Sequence, residues 1–188
     1  MTFTETPIFG AYHVDLQPHR DERGFFARAW CRQEFAERGL TLPFVQANLA
    51  QTHAAGTVRG LHYQPPPHDE AKFIRCVRGG IFDVTVDLRP ESPTYGHWHG
   101  QTLTAERRNA MYVPAGCAHG YQTLVDDTEV FYQVTAAYTP GVEQGIRFDD
   151  PTFGIAWPHP VTDVSEKDRS WPDFHTQENG GSTVSGPP

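Results

Sequence analysis

The stretch KFIRCVRGGIFDVTVDLRP, which runs from Lys72 to Pro90, decides the fold class of this chain. Apolar and polar side chains alternate strictly from Phe82 to Asp87, and this period of two is typical of a β-strand. The run KFIRCVR precedes it, and Gly79-Gly80 separates the two segments. The stretch therefore predicts two consecutive strands around a tight Gly-Gly turn, as in a hairpin.

Further strand signals lie on both sides of this stretch, whereas helix signals are scarce. In EVFYQVTAAY, alternate side chains from Val130 through Tyr132 to Tyr138 share one face. Other short strands are expected near residues 58–63, 100–104 and 111–113. One helix is expected over residues 32–38, ending at Gly39. This pattern predicts an all-β fold with a few short helices, an antiparallel sandwich or barrel of which the jelly roll is the favoured form.

Composition limits the functions that the chain can have. Its 188 residues are enough for one domain, and the 17 Gly and 16 Pro residues agree with a turn-rich β fold. There are 15 basic and 23 acidic residues, so the formal net charge is −8. Nucleic acids and membrane surfaces are anionic and would repel such a chain, so we expect neither as a partner. A basic pocket for a small anion remains compatible with this charge.

The cysteines and the two ends of the sequence indicate where the protein resides. Cys31, Cys76 and Cys117 are an odd number of widely spaced thiols, which predicts reduced cysteines rather than a disulfide framework. We find no signal peptide and no apolar run long enough for a membrane span, so a soluble cytoplasmic protein is expected. The folded domain is predicted over residues 1–175, and the polar segment 176–188 is expected to be a disordered tail.

The segment PAGCAHG, residues 114–120, has the spacing Pro-x-Gly-x-x-His that closes the second motif of cupin jelly rolls. The companion motif of metal-dependent cupins is His-x-His followed by Glu, but RGLHYQ supplies only His62. A catalytic metal commonly has about three protein ligands, and these two segments offer only His62 and His119. The sequence therefore favours a metal-free cupin.

Without a metal, His62 is the best candidate for a general base, because the pKa of an unperturbed histidine is about 6.5. Arg59 and Lys72 flank it in sequence and are candidates to bind an anion or a developing negative oxygen. Tyr132 is expected to point into the barrel, where a core tyrosine is the simpler interpretation and a proton donor the alternative. Strict alternation puts Arg59 and His62 on opposite strand faces, unless a bulge at Gly60 brings them together.

Taken together, these segments resemble the dTDP-4-dehydrorhamnose 3,5-epimerase family of nucleotide-sugar enzymes. The similarity covers roughly residues 5–175, from DERGFF at Asp21 to VSEKD at Asp168. The blocks between them are VQAN, GTVRGLHYQ, AKFIRCVRGGIFDVTVDLRPESPTYGHW, YVPAGCAHGYQTL, FYQVTAAYTP and FDDPTFGIAWP. Any one block alone is unspecific, but chance does not explain so many in order.

The resemblance implies a 4-keto-6-deoxyhexose linked to a nucleoside diphosphate as the substrate, inverted at C3, C5 or both. The favoured reaction is dTDP-4-dehydro-6-deoxyglucose to dTDP-4-dehydrorhamnose. The ketone acidifies the hydrogens at C3 and C5, so that a base can remove one and leave an enolate. By similarity, His62 is this base and Asp168 orients it. Lys72 matches the lysine that stabilises the enolate oxygen, and Tyr132 matches the tyrosine that returns the proton to the opposite face. No cofactor is implied.

Further residues match substrate-binding positions of the family. The positions near the diphosphate or the ribose are matched by Arg23, Arg59 and His119. The positions around the pyrimidine and the hexose are matched by Phe25, Gln46, Asn48 and Tyr138. Arg28 stands where many members have a glutamate, and that glutamate accepts a hydrogen bond from thymine N3–H, which arginine cannot do. Because arginine can donate to N3 of cytosine, a CDP-linked substrate is an alternative hypothesis.

Two other classes of protein remain open at this point: a metal-dependent cupin oxygenase or isomerase, and a noncatalytic sugar-binding jelly roll. The complete set of His62, Lys72, Tyr132 and Asp168 argues against the noncatalytic class. Family members are commonly homodimers that exchange an N-terminal strand, for which the apolar anchors here would be Phe3, Ile8 and Phe9. The resemblance thus implies a homodimer in which Arg23 or Phe25 of one chain completes the pocket of the other.

Overall fold

The computed structural model describes residues 1–41 and 43–174, and the tail predicted over residues 176–188 lies outside this range. In chain order the elements are β1 (Thr2–Glu5), β2 (Tyr12–Asp15), β3 (His19–Asp21), β4 (Gly24–Phe26), α1 (Arg32–Ala36), β5 (Gln46–Thr52), β6 (Thr57–Tyr63), β7 (Lys72–Arg78), β8 (Gly80–Asp87), β9 (Trp98–Thr104), β10 (Ala110–Val113), β11 (Cys117–Thr123), β12 (Thr128–Val134), β13 (Gln144–Gly145), β14 (Asp163–Val164) and α2 (Glu166–Arg169).

Two antiparallel sheets contain most of these strands. The first has the order β1-β2-β10-β7-β12-β5, and the second has the order β13-β6-β11-β8-β9 with β14 added in parallel on β6. From β5 to β12 the chain passes from one sheet to the other at nearly every step, which is the cupin-type jelly roll that the sequence predicts. The all-β prediction is confirmed. Within the described ranges, no helix is long and apolar enough to cross a bilayer.

The hairpin predicted between Lys72 and Asp87 is wrong in its pairing, although both strands exist. β7 lies in the first sheet and β8 in the second, where β8 pairs with β9 and β11. A single residue, Gly79, separates the two strands, and its φ is +76°. A Cβ at this position would lie 2.5 Å from Oγ1 of Thr128. The chain therefore turns a corner between the sheets at this glycine instead of folding back on itself.

Both faces of β8 are buried, and this strand places both apolar and polar side chains in the interior. Val84 packs in a cluster with the segment that follows β13 and covers the second sheet. Ile81 packs in the cluster between the two sheets, and Asp83, Thr85 and Asp87 share its face because side chains alternate along a strand. These three polar residues are 0% exposed. The space between the sheets thus contains charged groups as well as apolar ones.

The N-terminal region packs on its own chain. β1, the strand that the resemblance implies is exchanged between protomers, pairs with β2. Phe3 contacts Phe35 of α1 edge to face, with 5.1 Å between the ring centroids. Ile8 is fully buried, whereas Phe9 is exposed. Helix α1 is shorter than predicted and is followed by a turn in which Leu40 N donates to the carbonyl of Phe35.

Candidate active site

A cavity of about 600 Å³ opens between the sheets, and β5, β6, β7, β11 and β12 supply most of its wall. This volume is typical of small-molecule sites. The predicted site residues that line it are Gln46, Asn48, Arg59, His62, Lys72, His119, Tyr132, Tyr138 and Asp168. They come from both sheets, from α2 and, for Tyr138, from the segment between β12 and β13, so the fold brings together residues that are far apart in sequence.

An irregularity in β6 lets Arg59 and His62 face the same cavity. The pairing of β6 with β11 shifts register between His119 and Tyr121, opposite Gly60. Gly60 has a φ of +108°, and a Cβ there would lie 2.7 Å from the carbonyl oxygen of His119. Only glycine allows the two strands to approach so closely in this conformation. The alternation of side chains along β6 is thus interrupted at Gly60, the position at which the sequence analysis considered a bulge.

The imidazole of His62 is held by Asp168, whose Oδ1 lies 2.5 Å from Nε2. Asp168 itself is fixed, because Oδ2 accepts from the Gly60 amide at 3.2 Å and the Asp168 amide donates to Ser165 Oγ at 3.1 Å. Burial alone would raise the pKa of Asp168, but the hydrogen bond and charge of His62, aided by Gly60 and Ser165, lower it below its usual range. The carboxylate stays ionised and leaves the other ring nitrogen of His62 to accept a proton.

Lys72, the first residue of β7, places a nearly buried ammonium group in the cavity. The residue is 7% exposed, and its Nζ donates to the carbonyl oxygen of His62 at 3.2 Å. Oε1 of Glu70 lies 3.4 Å from the same nitrogen. Among the described residues Nζ has no third partner, so one of its three N–H groups is available to a ligand.

Tyr132 faces the cavity from β12, between the buried Val130 and Val134. Burial raises the pKa of its hydroxyl, and the carboxylates of Glu70 and Glu143 raise it further against the opposing charge of Arg59. The phenol therefore keeps its proton at neutral pH. Since β12 belongs to the first sheet and β6 to the second, Tyr132 and His62 stand on opposite walls.

Arg59 supplies a cationic part of the wall, and His119 lines the same cavity. Nε of Arg59 donates to Thr52 Oγ1 at 2.8 Å, and Nη2 donates to the Gln51 carbonyl at 3.0 Å. No carboxylate of the described residues lies within 4.0 Å of this guanidinium group. Nε2 of His119 lies 2.7 Å from Oδ1 of the fully buried Asp83. A guanidinium group without a carboxylate partner is suited to bind an anionic ligand.

Three of the predicted binding residues do not line the cavity of this chain. Arg23 forms an exposed ion pair with Asp21 at 2.6 Å in the β3–β4 hairpin. The ring of Phe25 lies 4.3 Å from the guanidinium carbon of Arg108. Arg28 pairs with Glu34 of α1 at 2.8 Å. Within a single chain these residues therefore have no role at the site.

Several lining residues were missed by the sequence analysis: Glu70, Tyr121, Glu143 and Lys167. Glu143 forms an ion pair with Lys167 and lies 3.8 Å from Nδ1 of His62. Pairing of the two-residue strand β13 with β6 puts Glu143 beside His62, and so short a strand has no detectable pattern. Lys167 precedes Asp168 in VSEKD, so its position in that block was the available signal.

The described ranges contain no group of three His, Cys, Asp or Glu side chains arranged to hold a metal ion. The two histidines of the cavity each face a carboxylate of their own, Asp168 for His62 and Asp83 for His119. The fold and the cavity thus define a cupin-type jelly roll whose site consists of a carboxylate-bound histidine, a lysine and a tyrosine.

Comparison with known proteins identifies the family. The family model described as dTDP-4-dehydrorhamnose 3,5-epimerase matches residues 5–176. The dTDP-4-dehydrorhamnose 3,5-epimerase of Methanothermobacter thermautotrophicus is 42% identical over 172 residues, which cover 90% of this chain and 92% of that protein. The chain belongs to the dTDP-4-dehydrorhamnose 3,5-epimerase family and is an isomerase.

Solved structures agree with this assignment. The Bacillus anthracis dTDP-4-dehydrorhamnose 3,5-epimerase with TDP and PPi bound is 37% identical and has a TM-score of 0.88, covering 92% of this chain and 99% of that one. A 3'-monoepimerase from Streptomyces bikiniensis, solved with dTDP as a double mutant with His changed to Asn and Tyr changed to Phe, is 34% identical. Its TM-score is 0.82, and the match covers 90% of this chain and 85% of that one.

These findings decide between the alternatives left open by the sequence. The hypothesis of a CDP-linked substrate is not favoured, because the relatives are named for dTDP sugars and Arg28 pairs with Glu34 outside the cavity. The metal-dependent and noncatalytic jelly rolls are not favoured either, because the matched family is one of epimerases.

Proposed function

We propose that this protein inverts C3, C5 or both in dTDP-4-dehydro-6-deoxyglucose, giving dTDP-4-dehydrorhamnose when both centres react. The observation that carries this proposal is the placement of His62 and Tyr132 on opposite walls of one cavity, with Lys72 beside them. A base, an acid and an oxyanion donor are the groups needed to invert a carbon next to a ketone. The reaction needs no cofactor.

The first step is removal of a proton from the carbon next to the C4 ketone. The ring nitrogen of His62 that is not bound to Asp168 takes this proton, and the ionised Asp168 stabilises the imidazolium that results. The electron pair left on carbon moves into the C4 oxygen as an enolate. The remaining N–H of Lys72 donates to that oxygen, which lowers the barrier where the negative charge develops.

The second step returns a proton to the other face of the same carbon. Tyr132 is protonated at neutral pH and faces His62 across the cavity, so a sugar ring between them presents one face to each group. The solved double mutant of the S. bikiniensis monoepimerase supports these two roles. Its substituted histidine and tyrosine are separated by the same interval along the chain as His62 and Tyr132.

The nucleotide part of the substrate occupies the cationic side of the wall. Arg59 is placed to bind the diphosphate, and His119 contributes a second donor there. Gln46, Asn48 and Tyr138 line the same opening and are proposed to contact the hexose and the base. The TDP and PPi bound in the B. anthracis enzyme support a thymidine nucleotide as the ligand.

We further propose that the protein is a cytoplasmic homodimer. Leu49 and Phe131 are opposite each other on β5 and β12, and both are exposed, as Val77 of β7 is. An apolar sheet face of this kind is suited to cover a second copy. In such a dimer, the β3–β4 hairpin brings Arg23 and Phe25 to the cavity of the partner. The three unpaired cysteines support a reducing compartment.

The test of the dimer is complementation. Light scattering gives the mass, and mixing His62→Asn with Arg23→Ala protein forms heterodimers that contain one intact site if Arg23 acts across the interface. Activity above that of either variant alone is expected after subunit exchange. A monomer in solution, or no recovered activity in a verified heterodimer, contradicts this proposal.

The test of the reaction is NMR of the purified protein with dTDP-4-dehydro-6-deoxyglucose in deuterated water. Each proton transfer exchanges with solvent, so deuterium is expected at every carbon that the enzyme inverts. The spectrum reports turnover, position and stereochemistry together. A folded protein that leaves C3 and C5 free of deuterium refutes the proposal.

A further inference from the structure

Among the carboxylates of the cavity, Glu70 has no function in the reaction described above. Asp168 is bound to His62, and Glu143 is paired with Lys167. The side chain of Glu70 is only 11% exposed, and its Oε1 lies 3.4 Å from Nζ of Lys72. Glu143 and Glu70 are thus each paired with a lysine, and Asp168 with the imidazole of His62.

The backbone that carries Glu70 is fixed to the end of β12. The amide of Ala71 donates to Oγ1 of Thr135 at 2.9 Å, and the amide of Thr135 donates to the carbonyl of Ala71 at 3.1 Å. Ala71 is itself buried. These two bonds fix the backbone at Ala71, between Glu70 and Lys72, to the end of β12.

We propose that Glu70 is a positioning residue that aims the ammonium group of Lys72 at the C4 oxygen of the substrate. This inference rests on the proposed epimerase function. One N–H of Lys72 is bound to the His62 carbonyl, and the carboxylate of Glu70 lies 3.4 Å from the same nitrogen, so these two groups restrict where the flexible lysine chain places its ammonium group. Glu70 also places a negative charge beside this nearly buried cation.

The same carboxylate acts on Tyr132, which gives the inference a second and independent readout. Burial raises the pKa of Tyr132, and the charges of Glu70 and Glu143 raise it further. The titratable and charged groups that line the cavity together with Tyr132 are Arg59, His62, Glu70, Lys72, His119, Tyr121, Tyr138, Glu143, Asp163, Lys167 and Asp168. Removing the charge of Glu70 alone lowers the pKa of Tyr132, so the proposed proton donor is lost at a lower pH.

The experiment compares Glu70→Ala and Glu70→Gln with wild type by deuterium incorporation and steady-state kinetics from pH 6 to the alkaline limit of the folded protein. Glu70→Ala removes the acceptor and frees Lys72, so kcat falls about tenfold while KM changes less than about threefold. Glu70→Gln keeps an acceptor oxygen, so at neutral pH kcat stays within about threefold of wild type. In both variants the alkaline limb of the kcat profile moves to lower pH.

Glu129→Gln is the matched control, because Glu129 is also paired with a cation, Arg78 at 3.7 Å, but does not line the cavity. It is expected to leave kcat and the alkaline limb unchanged. A purely structural role of Glu70 would lower the melting temperature without moving the limb. If Glu70→Ala does not fold, the position of the alkaline limb of the kcat profile of Glu70→Gln tests the inference instead.

The inference is overturned if kcat of Glu70→Ala stays within twofold of wild type. It is also overturned if the limb of Glu70→Gln coincides with that of Glu129→Gln, or if Glu70→Gln loses as much kcat as Glu70→Ala. Wild-type protein is measured first, because absent turnover there refutes the proposed function itself, whereas an active wild type with unaffected Glu70 variants refutes only this inference.

Discussion

Two carboxylate–imidazole pairs stand next to each other on β6 and β11, and they are built differently. His62 and His119 are direct partners in the register of these strands. Asp168 reaches His62 from α2, 106 residues further along the chain, whereas Asp83 reaches His119 from the neighbouring strand β8, across 36 residues. The first pair depends on a C-terminal segment that folds back onto the sheet, and the second is part of the sheet itself.

The surroundings of the two pairs also differ. The side chain of His62 is 27% exposed and that of His119 is 10% exposed. Both oxygens of Asp168 accept hydrogen bonds, from His62 and from the Gly60 amide, while Oδ2 of Asp83 has no partner among the described residues. A reachable imidazole with a fully bonded carboxylate is suited to exchange protons with a ligand. A deeper imidazole on a rigid strand is suited to bind a ligand without exchanging protons with it.

The largest difference between the pairs is expected when the imidazoles are removed. His62→Asn removes the proposed base, so kcat is expected to fall about 10³–10⁴-fold with little change in the dissociation constant of dTDP. His119→Asn is expected to weaken dTDP binding and to reduce kcat far less. Deuterium incorporation measures the first effect and calorimetric titration the second. Equal losses of kcat in the two variants would remove the distinction drawn here.

The next largest difference is expected for Asp168→Asn, which leaves His62 in place without its ionised partner. The amide no longer stabilises the imidazolium, so kcat is expected to fall about 10²–10³-fold. Pre-steady-state deuterium exchange at C3 and C5 measures this loss of rate. A fall in the rate of less than tenfold would show that Asp168 serves the fold rather than the reaction.

Acid unfolding gives a second measurement on Asp168→Asn. The pKa of Asp168 lies below its usual 3.8 in the folded protein, so the ionised carboxylate adds stability above that pH and loses it as the pH falls through the folded pKa. The difference in unfolding free energy between wild type and Asp168→Asn is therefore expected to shrink as the pH drops below about 4. A constant difference between pH 7 and pH 2 would contradict the assigned direction.

Much of the fold was predictable because strand periodicity is a local property. The alternation from Phe82 to Asp87 identified β8, and the face shared by Val130 and Tyr132 identified β12. The partner of each strand was not predictable in the same way. Gly79 is compatible with a hairpin and with a corner between sheets, and in the structure it packs against Thr128, which is far along the chain and therefore gives no local signal.

The site shows the same division. His62 attracted notice because of its neighbours Arg59 and Lys72, but Asp168 was connected to it only by family resemblance. Asp83 was noted as one of the polar residues in an alternating strand, with no signal that it faces the interior, because periodicity does not say which face is buried. Glu143 depends on the two-residue strand β13, which is too short for any pattern.

A smaller effect is expected from Asp83→Asn, and it should appear in binding. The carboxylate only accepts from Nε2 of His119, whereas an amide can also turn its NH2 group toward that nitrogen, so the imidazole is held less firmly and KM is expected to rise about tenfold while kcat stays within about threefold of wild type. Steady-state kinetics separates the two parameters, and Thr85→Val, a neutral change on the same buried face, is the control. A large fall in kcat with unchanged KM would place Asp83 in the chemical step.

The smallest effect is expected from Ser165→Ala, and it tests why the two pairs differ in construction. Ser165 caps the four-residue helix α2, and its Oγ accepts from the amide of Asp168 at 3.1 Å. Loss of an N-cap costs about 1 kcal/mol, so the melting temperature is expected to fall by about 2–4 °C. Because Asp168 then sits on a looser support, kcat is expected to fall about two- to threefold.

Ser170→Ala is the matched control at the other end of α2, where the hydroxyl donates to the Lys167 carbonyl and touches neither Asp168 nor His62. It is expected to leave kcat unchanged. Asp83 has no comparable weak point, because a central strand bonded on both sides holds it. If Ser165→Ala lowers the melting temperature and leaves kcat intact, the position of Asp168 is set by its bonds to His62 and Gly60 alone, and the helix that delivers it contributes only stability.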